Sequence, residues 1–401
     1  MDLIRYCRIY FILLLKFVLR FVPKRKNLIL FSAWFGQKYA DSSKCMFEYL
    51  IKNSDYEVYW FTRNRNLFYE LKDRKIPVLF AYSIKGIWFQ IRAKMLVSAI
   101  QMYDFNNYFY SNCIFLDLDH GFVLKDAGLK ILESNLAKKY FLALRRGCEY
   151  WMSASTPFGM RVKAECYQVD KSHIVKCQMP RVDALFDKSL QLGKNMIIDK
   201  IKCGRKAIIW MPTHRQCGKE KISISNLVNL KQLQSLCEQY NIDFIVKKHF
   251  YHAEEYEDFS QYPNIFDVTH EDIDSQVILA QADALVSDYS ASYIEYLVLD
   301  RPIILYAFDL EKYIKQERNL YIKFQDNTAG AKVFSSQELL ESIKRICCDW
   351  YDHKFAMGRK KARSLYFDET PVGHYREQVK QIMDQLLLGT YKPNWDENDS
   401  V

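Results

Sequence analysis

Twice along the chain, short apolar runs rich in β-branched residues take turns with amphipathic stretches. The first series is Leu28–Phe31, Glu57–Phe61, Val78–Phe80, Met95–Ser98 and Cys113–Leu118, with helix candidates Ser42–Lys52 and Leu67–Asp73 between them. The second is Ala207–Trp210, Phe244–Val246, Ala284–Ser287 and Ile303–Tyr306, separated by helix candidates such as Asn226–Tyr240 and Asp274–Ala282. Strands alternating with helices dictate a parallel sheet with helices on both faces. The predicted fold class is therefore α/β, with two Rossmann-like domains whose sheets face each other across a cleft. A chain of 401 residues is too long for one ordinary core and suits two. The polar stretch from Asp187 to Asn195 has no strong period and marks the boundary. The expected division is a helix over 1–22, a first domain over 23–186, a linker over 187–204, a second domain over 205–388 and a polar tail over 389–401. The segment from Ser336 to Leu388 reads as helices. A cleft between two such domains is the default place for a ligand.

Composition narrows the ligand. The formal net charge of +9 favours anionic partners, either phosphates or an acidic membrane surface. No GxGxxG loop is present, which argues against a standard dinucleotide site. The basic residues form no stripe with interleaved aromatics, so nucleic acid is not an expected partner. The 11 cysteines are odd in number and lack CxxC spacing, which reads as reduced thiols in a cytoplasmic protein. HExxH spacing is absent as well, and no metal site is expected.

The N-terminus, MDLIRYCRIYFILLLKFVLRFVPKRK, carries Arg5, Arg8, Lys16 and Arg20 inside an apolar segment. Its longest uncharged run, Ile9–Leu15, is far short of the ~20 residues a span requires. No small-residue cleavage site follows it. At about 100° per residue, Ile4, Cys7, Phe11, Leu14, Leu15, Val18 and Val22 share one face, with the basic residues opposite. This pattern suits a helix lying in an anionic membrane interface. The alternative is a first helix packed on the protein's own core.

Four constellations stand where a predicted strand gives way to a loop. In a parallel α/β sheet, ligands sit at that edge. After CIFLDL comes Asp119-His120-Gly121, followed by Lys125. A histidine there can take a proton near neutral pH, or can simply bond a backbone group in a tight turn. After the run ending at Trp210 comes Pro212-Thr213-His214-Arg215. Arg215 offers a planar fork for phosphate oxygens, or is a surface arginine. After Val246 comes Lys247-Lys248-His249, a compact positive site or a solvated charge run. After Val286 comes Ser287-Asp288-Tyr289-Ser290-Ala291-Ser292. Ser290 and Ser292 stand where a helix should start, so they are plain caps or part of an anion cradle at a helix N-terminus.

The ordered series HGxxxKxxG, MPRVD, PTHR, KKH, SDYS and RPIILYAFDLEKY resembles the CDP-glycerol glycerophosphotransferase family, the teichoic acid and capsule enzymes with a GT-B-like fold. The resemblance runs from about Phe31 to Val379. Phe35 to Ser42 is similar to that family's first-domain loop, Met179 to Asp183 to its GxPRxD turn, and Arg318 to Tyr321 to its RGxY element. The resemblance implies catalytic roles for His120, as general base toward the acceptor hydroxyl, and for His249. It implies that Arg215, Lys247, His249, Ser290 and Ser292 hold the donor's diphosphate, with Asp288, Gly121, Lys125 and Arg181 in support. Asp288 would either orient its loop or bind the donor's hydroxyls. The implied partners are CDP-glycerol or CDP-ribitol and a lipid-linked glycan acceptor at the cytoplasmic face of a bacterial membrane. No cofactor is obligatory in this reading, because alignment and fixed charge suffice for the transfer. The sequence departs from the family pattern at Asp119, where a tryptophan is usual, and at Phe122-Val123, Phe250, Ala291 and Glu295. Those departures leave the acceptor and the alditol open, and two rivals stay in play. One is a nucleotide-sugar transferase of the same fold, the other a non-catalytic protein that binds a glycan lipid.

Overall fold

The computed structural model describes residues 2–186, 204–215, 220–249, 257–271, 273–317 and 319–395. The chain divides into two units. The first comprises Met1–Gly121, Ala127–Asp183 and Asp368–Val401; the second comprises Phe122–Asp126 and Ala184–Phe367. The linker expected over 187–204 lies, except for Gly204, outside the described residues. The second domain expected over 205–388 is shorter at its end, since Asp368 onward groups with the first unit. The physical reason is the helix Tyr375–Leu388. Its buried Val379, Ile382, Met383 and Leu386 join the core formed by Ile29, Phe31, Trp60, Met95 and Leu116.

In the first unit, seven strands form one sheet: β1 (Arg25–Phe31), β2 (Glu57–Thr62), β3 (Val78–Phe80), β4 (Ala93–Ser98), β5 (Cys113–Asp117), β6 (Cys148–Ala154) and β7 (Ile174–Lys176). Every pairing is parallel, in the order β3-β2-β1-β4-β5-β6-β7. All five residues of β5 are buried, as a strand covered on both faces requires. The second unit repeats the plan with β8 (Lys206–Trp210), β9 (Ile242–Val246), β10 (Ile265–Asp267), β11 (Ala284–Ser287), β12 (Ile303–Tyr306) and β13 (Ala331–Val333). Its order is β10-β9-β8-β11-β12-β13, again wholly parallel. Both are the doubly wound order, in which the chain reverses its direction of growth between the first and fourth strands. The switch points therefore lie at the carboxyl ends of β1 and β4, and of β8 and β11.

The expected helices form, with local corrections. The stretch Asn226–Tyr240 is two helices, Ile224–Leu227 and Leu230–Gln239, because Asn229 adopts an extended conformation and its side chain accepts from the Gln232 N–H. The predicted helical tail resolves into Ser336–Cys348, His353–Tyr366 and Tyr375–Leu388. Ser335 opens the first of these with a reciprocal capping box to Glu338.

The N-terminal helix spans Asp2–Leu19. Ile9, Ile12, Lys16 and Leu19 are buried, and Ile9 packs on Leu136 and Ala143 of the helix Asn135–Arg145. Lys16 thus departs from the solvent-facing basic face read from the sequence. Its ammonium donates to the Leu144 carbonyl at 2.7 Å and lies 3.6 Å from the centre of the Tyr110 ring. Burial lowers its pKa to about 8. Ile4, Phe11, Leu14 and Val18, all from the predicted apolar face, remain exposed, as do Phe17 and Phe21. Among the described residues, no helix is long and apolar enough to cross a membrane.

Candidate active site

At the first switch point, the loops after β1, β4 and β5 are held in strained backbone. Trp34, Phe35, Asp41, Gln101 and Asp119 all have positive φ. Each such non-glycine residue costs about 1–2 kcal/mol, so the surroundings must compensate. Buried Asp104 does much of this. One oxygen accepts the Phe35 N–H at 2.6 Å, and the other accepts the Ala99 and Ile100 N–H groups at 2.9 and 2.8 Å. Desolvation raises the pKa of this carboxyl to about 7, against the opposing pull of those three amides.

His120 stands on this platform, with its side chain 44% exposed. Its Nδ1 lies 3.1 Å from Asp119 Oδ1 and 3.2 Å from the Ala99 carbonyl oxygen. Both neighbours are acceptors, so Nδ1 carries a hydrogen and Nε2 is the basic nitrogen of the neutral ring. The Trp34 ring packs edge-on at 5.5 Å. Trp34 Nε1 donates to Asp41 Oδ2 at 2.8 Å, and Arg181 Nη1 donates to Asp41 Oδ1 at 2.6 Å. Arg181 is therefore tied to the wall beside His120. Asp183 of the same PRVD turn has another task. Its carboxylate accepts the Gly373, Tyr375 and Arg376 N–H groups at the start of the helix Tyr375–Leu388. Desolvation pushes His120 down, but the hydrogen bond and charge of Asp119 outweigh it and raise its pKa to about 9. The stability linked to this shift is fully present below the unfolded value of ~6.5 and is lost as pH rises through about 9.

At the second switch point, the PTHR and SDYS loops are joined by a buried arginine. Arg215 Nε donates to Asp309 Oδ2 at 2.7 Å, Nη1 to the Thr213 carbonyl at 2.6 Å, and Nη2 to Asp288 Oδ2 at 2.9 Å and Asp309 Oδ1 at 3.0 Å. Its guanidinium lies 5.0–5.3 Å from the centres of the Tyr289, Phe308 and Tyr313 rings. The expected phosphate fork is thus corrected: four of its five N–H groups are already used inside the protein. Asp288 Oδ1 accepts the Thr213 N–H, the Thr213 hydroxyl and the Tyr289 N–H at 2.6–2.9 Å. Of the two roles the resemblance left open for it, the geometry fits loop orientation.

Lys247 is likewise turned inward, donating to the carbonyls of Val268 and Glu271. Lys248 is buried against Glu257 and Asp267. His249 is half-buried, with its ring 4.8 Å from that of His214. The two come together because β8 and β9 are neighbours and their exit loops meet. His214 has no role that its place in the PTHR motif suggests, and the strand order is the missing information. Ser290 and Ser292 are adjacent: the Ser292 hydroxyl donates to Ser290 Oγ at 2.9 Å and faces Ser287 Oγ at 3.3 Å. Neither is the N-cap. Ala291 occupies that position, and the helix that follows, Ser292–Tyr296, is only five residues long.

Lys125 joins the second unit rather than His120's surroundings. Its ammonium donates to the Tyr313 hydroxyl at 2.8 Å, and its backbone bridges Leu320. Tyr313 stacks on Tyr289 at 3.8 Å, next to Arg215. Gly121 is the last residue of the first unit before this crossing. Arg318 of the RGxY-like element lies outside the described residues.

Each of the two doubly wound sheets carries at least one histidine and several carboxylates at its switch point, where open α/β sheets take their ligands. The profile of the CDP-Glycerol:Poly(glycerophosphate) glycerophosphotransferase family matches residues 14–379, and the chain belongs to that family. The teichoic acid glycerol-phosphate transferase of Staphylococcus aureus is 26% identical over 345 residues, covering 80% of this chain and 84% of that protein. A teichoic acid ribitol-phosphate polymerase of the same organism is 30% identical over 186 residues, covering 45% of this chain and 36% of that one. A variant of the wall teichoic acid polymerase TagF superposes with a TM-score of 0.73 at 18% identity, covering 91% of this chain and 90% of that one. At that identity the likeness speaks for the fold.

Proposed function

We propose that this enzyme transfers glycerol phosphate from CDP-glycerol to a hydroxyl of a membrane-held glycan or polyol-phosphate acceptor, in cell-surface polymer synthesis. The observation that carries this reading is the family match along residues 14–379. The geometry of the two switch points supports the following chemistry. His120 Nε2 takes the acceptor's hydroxyl proton, and the freed oxygen bonds to the phosphorus bearing glycerol. The bond from that phosphorus to the bridging oxygen breaks, and CMP leaves with the bonding pair. His249 and its neighbour His214 supply positive charge or a proton as CMP departs. Ser290 and Ser292 offer hydroxyl donors to the diphosphate, while Arg215 and Asp288 fix the loops that present them. Such transfers depend on alignment and charge stabilisation more than on covalent help. CDP-ribitol is the second reading, favoured by the segment similar to a ribitol-phosphate polymerase.

The test is CMP release with CDP-glycerol and CDP-ribitol side by side, with a polyprenyl-diphosphate glycan as acceptor. Release with one donor names the alditol; silence with both rejects the reading. No metal is obligatory in this scheme, so rates in EDTA are expected to equal those in magnesium. A tenfold loss in EDTA that magnesium restores would overturn that part.

In this reading the enzyme sits peripherally on the cytoplasmic membrane face, with the N-terminal helix as its contact. Support comes from its exposed Ile4, Phe11, Leu14, Phe17, Val18 and Phe21, which stand beside exposed Arg8 and Arg20. Deleting the helix would also strip Ile12 and Lys16 from the core, so the outer face is the better target. Phe11→Glu with Leu14→Glu is expected to cut partitioning onto phosphatidylglycerol vesicles by roughly 100-fold, with donor turnover retained. Undiminished partitioning would assign those side chains another partner.

A further inference from the structure

His120 does not act alone in its loop. Asp119 is 4% exposed and has φ 61°, a conformation that aspartate tolerates better than most residues. That backbone turns its carboxylate back beneath the imidazole. Oδ1 accepts the His120 N–H at 2.7 Å and lies 3.1 Å from Nδ1. Oδ2 lies 3.1 Å from Lys163 Nζ, on the helix Pro157–Tyr167. Lys163 is itself 4% exposed and is anchored by donating to the Ser153 carbonyl at 2.6 Å. Beneath the pair, Asp117 accepts the Asp119 N–H at 3.1 Å and the Tyr150 hydroxyl at 2.9 Å. Two consecutive links, Lys163 to Asp119 and Asp119 to His120, thus run from the core to a half-exposed ring.

Resting on the transfer proposed above, we propose that Asp119 is a positioning residue for His120, orienting its ring and fixing its tautomer so that Nε2 faces the acceptor, and that Lys163 fixes Asp119 in turn. A buried carboxylate without a cation would be costly, and Lys163 makes the charged form of Asp119 tenable. An ionised Asp119 then accepts the Nδ1 hydrogen and favours the protonated ring. The other charged groups around His120 are Asp41 and Arg181, which act on it with opposite signs, and Asp117 below. None of them replaces the Nδ1 contact.

The arrangement predicts effects of the same sign from its two supports. In Asp119→Asn, the acidic partner is lost and the protonated ring loses its stabilisation. In Lys163→Met, the carboxylate loses the cation that keeps it charged and in place, and its hold on the ring weakens. The experiment is a titration of the His120 ring by two-dimensional imidazole nitrogen–proton NMR, in the full chain without substrate. The wild-type midpoint is expected near 9. Asp119→Asn should lower it by at least one pH unit. Lys163→Met should lower it as well, by less. Equal midpoints in wild type and Asp119→Asn, or a midpoint in Lys163→Met at or above that of wild type, would overturn the proposal. Should Asp119→Asn fail to fold, an unlowered midpoint in Lys163→Met overturns it alone. The pH profile of CMP release separates this from the function. Its alkaline-rising limb should follow the NMR midpoint in each variant. Midpoints that move while the profile stays fixed would leave the Asp119–His120 pair intact and remove His120 from the chemistry.

Discussion

Replacing His120 by alanine is expected to reduce acceptor-dependent CMP release by about 10²–10⁴-fold, the range for loss of a general base. The protein should stay folded, because the ring is half-exposed and fills no core position. The loss should fall on kcat, since the proton moves only as the acceptor oxygen attacks. A second signature follows from the raised pKa of about 9. At neutral pH most of the wild-type ring already carries a proton, so the rate should climb with pH up to that value. The variant should lack the climb. Steady-state rates between pH 6 and 10 check both features. A variant with full activity, or one that keeps the wild-type rise, would move the base to another group.

Arg215→Met is expected to act on stability before it acts on substrate. The guanidinium is 3% exposed and is the shared partner of Asp288 and Asp309. Removing it strands two carboxylates in a poorly hydrated site, at a cost of about 3–5 kcal/mol. For a unit of this size, that is a fall of roughly 10 °C in its melting temperature. Arg215→Lys should recover only part of the loss, because one ammonium cannot fork across both carboxylates and the Thr213 carbonyl. Calorimetric melting of the three proteins checks this. Unchanged melting with a weakened Kd for CMP would restore the phosphate-binding role that the sequence suggested for Arg215.

The contrast between these two residues shows what was legible in the sequence. The long apolar runs mark nine of the thirteen strands among the described residues, because a buried parallel strand excludes polar residues almost by itself. The strands passed over were β6, whose run is broken by Glu149, and β7, β10 and β13, each only three residues long. The switch-point loops were legible as polar breaks at strand ends. What each polar side chain faces was not. Arg215 and Lys247 have the composition of phosphate ligands but the surroundings of internal ties, a difference made by residues more than 20 positions away in sequence. The same holds in the other direction. Asp119 read as a departure from a family pattern, and only the pairing with Lys163 gives it a task.

The return of the helix Tyr375–Leu388 to the first sheet bears on how the chain is born. Synthesis runs from the N-terminus, so all seven strands of the first sheet leave the ribosome well before that helix exists. Until it arrives, the surface of the nascent sheet that later holds Val379, Ile382, Met383 and Leu386 stays open to water. Asp183 meanwhile has its carboxylate waiting for the amides of Gly373, Tyr375 and Arg376. The second unit can close on a nearly continuous stretch of chain, whereas the first is finished last although it is begun first. A nascent chain of this kind carries an exposed apolar face through most of translation, and exposed apolar surface is what makes a partly folded chain prone to aggregate.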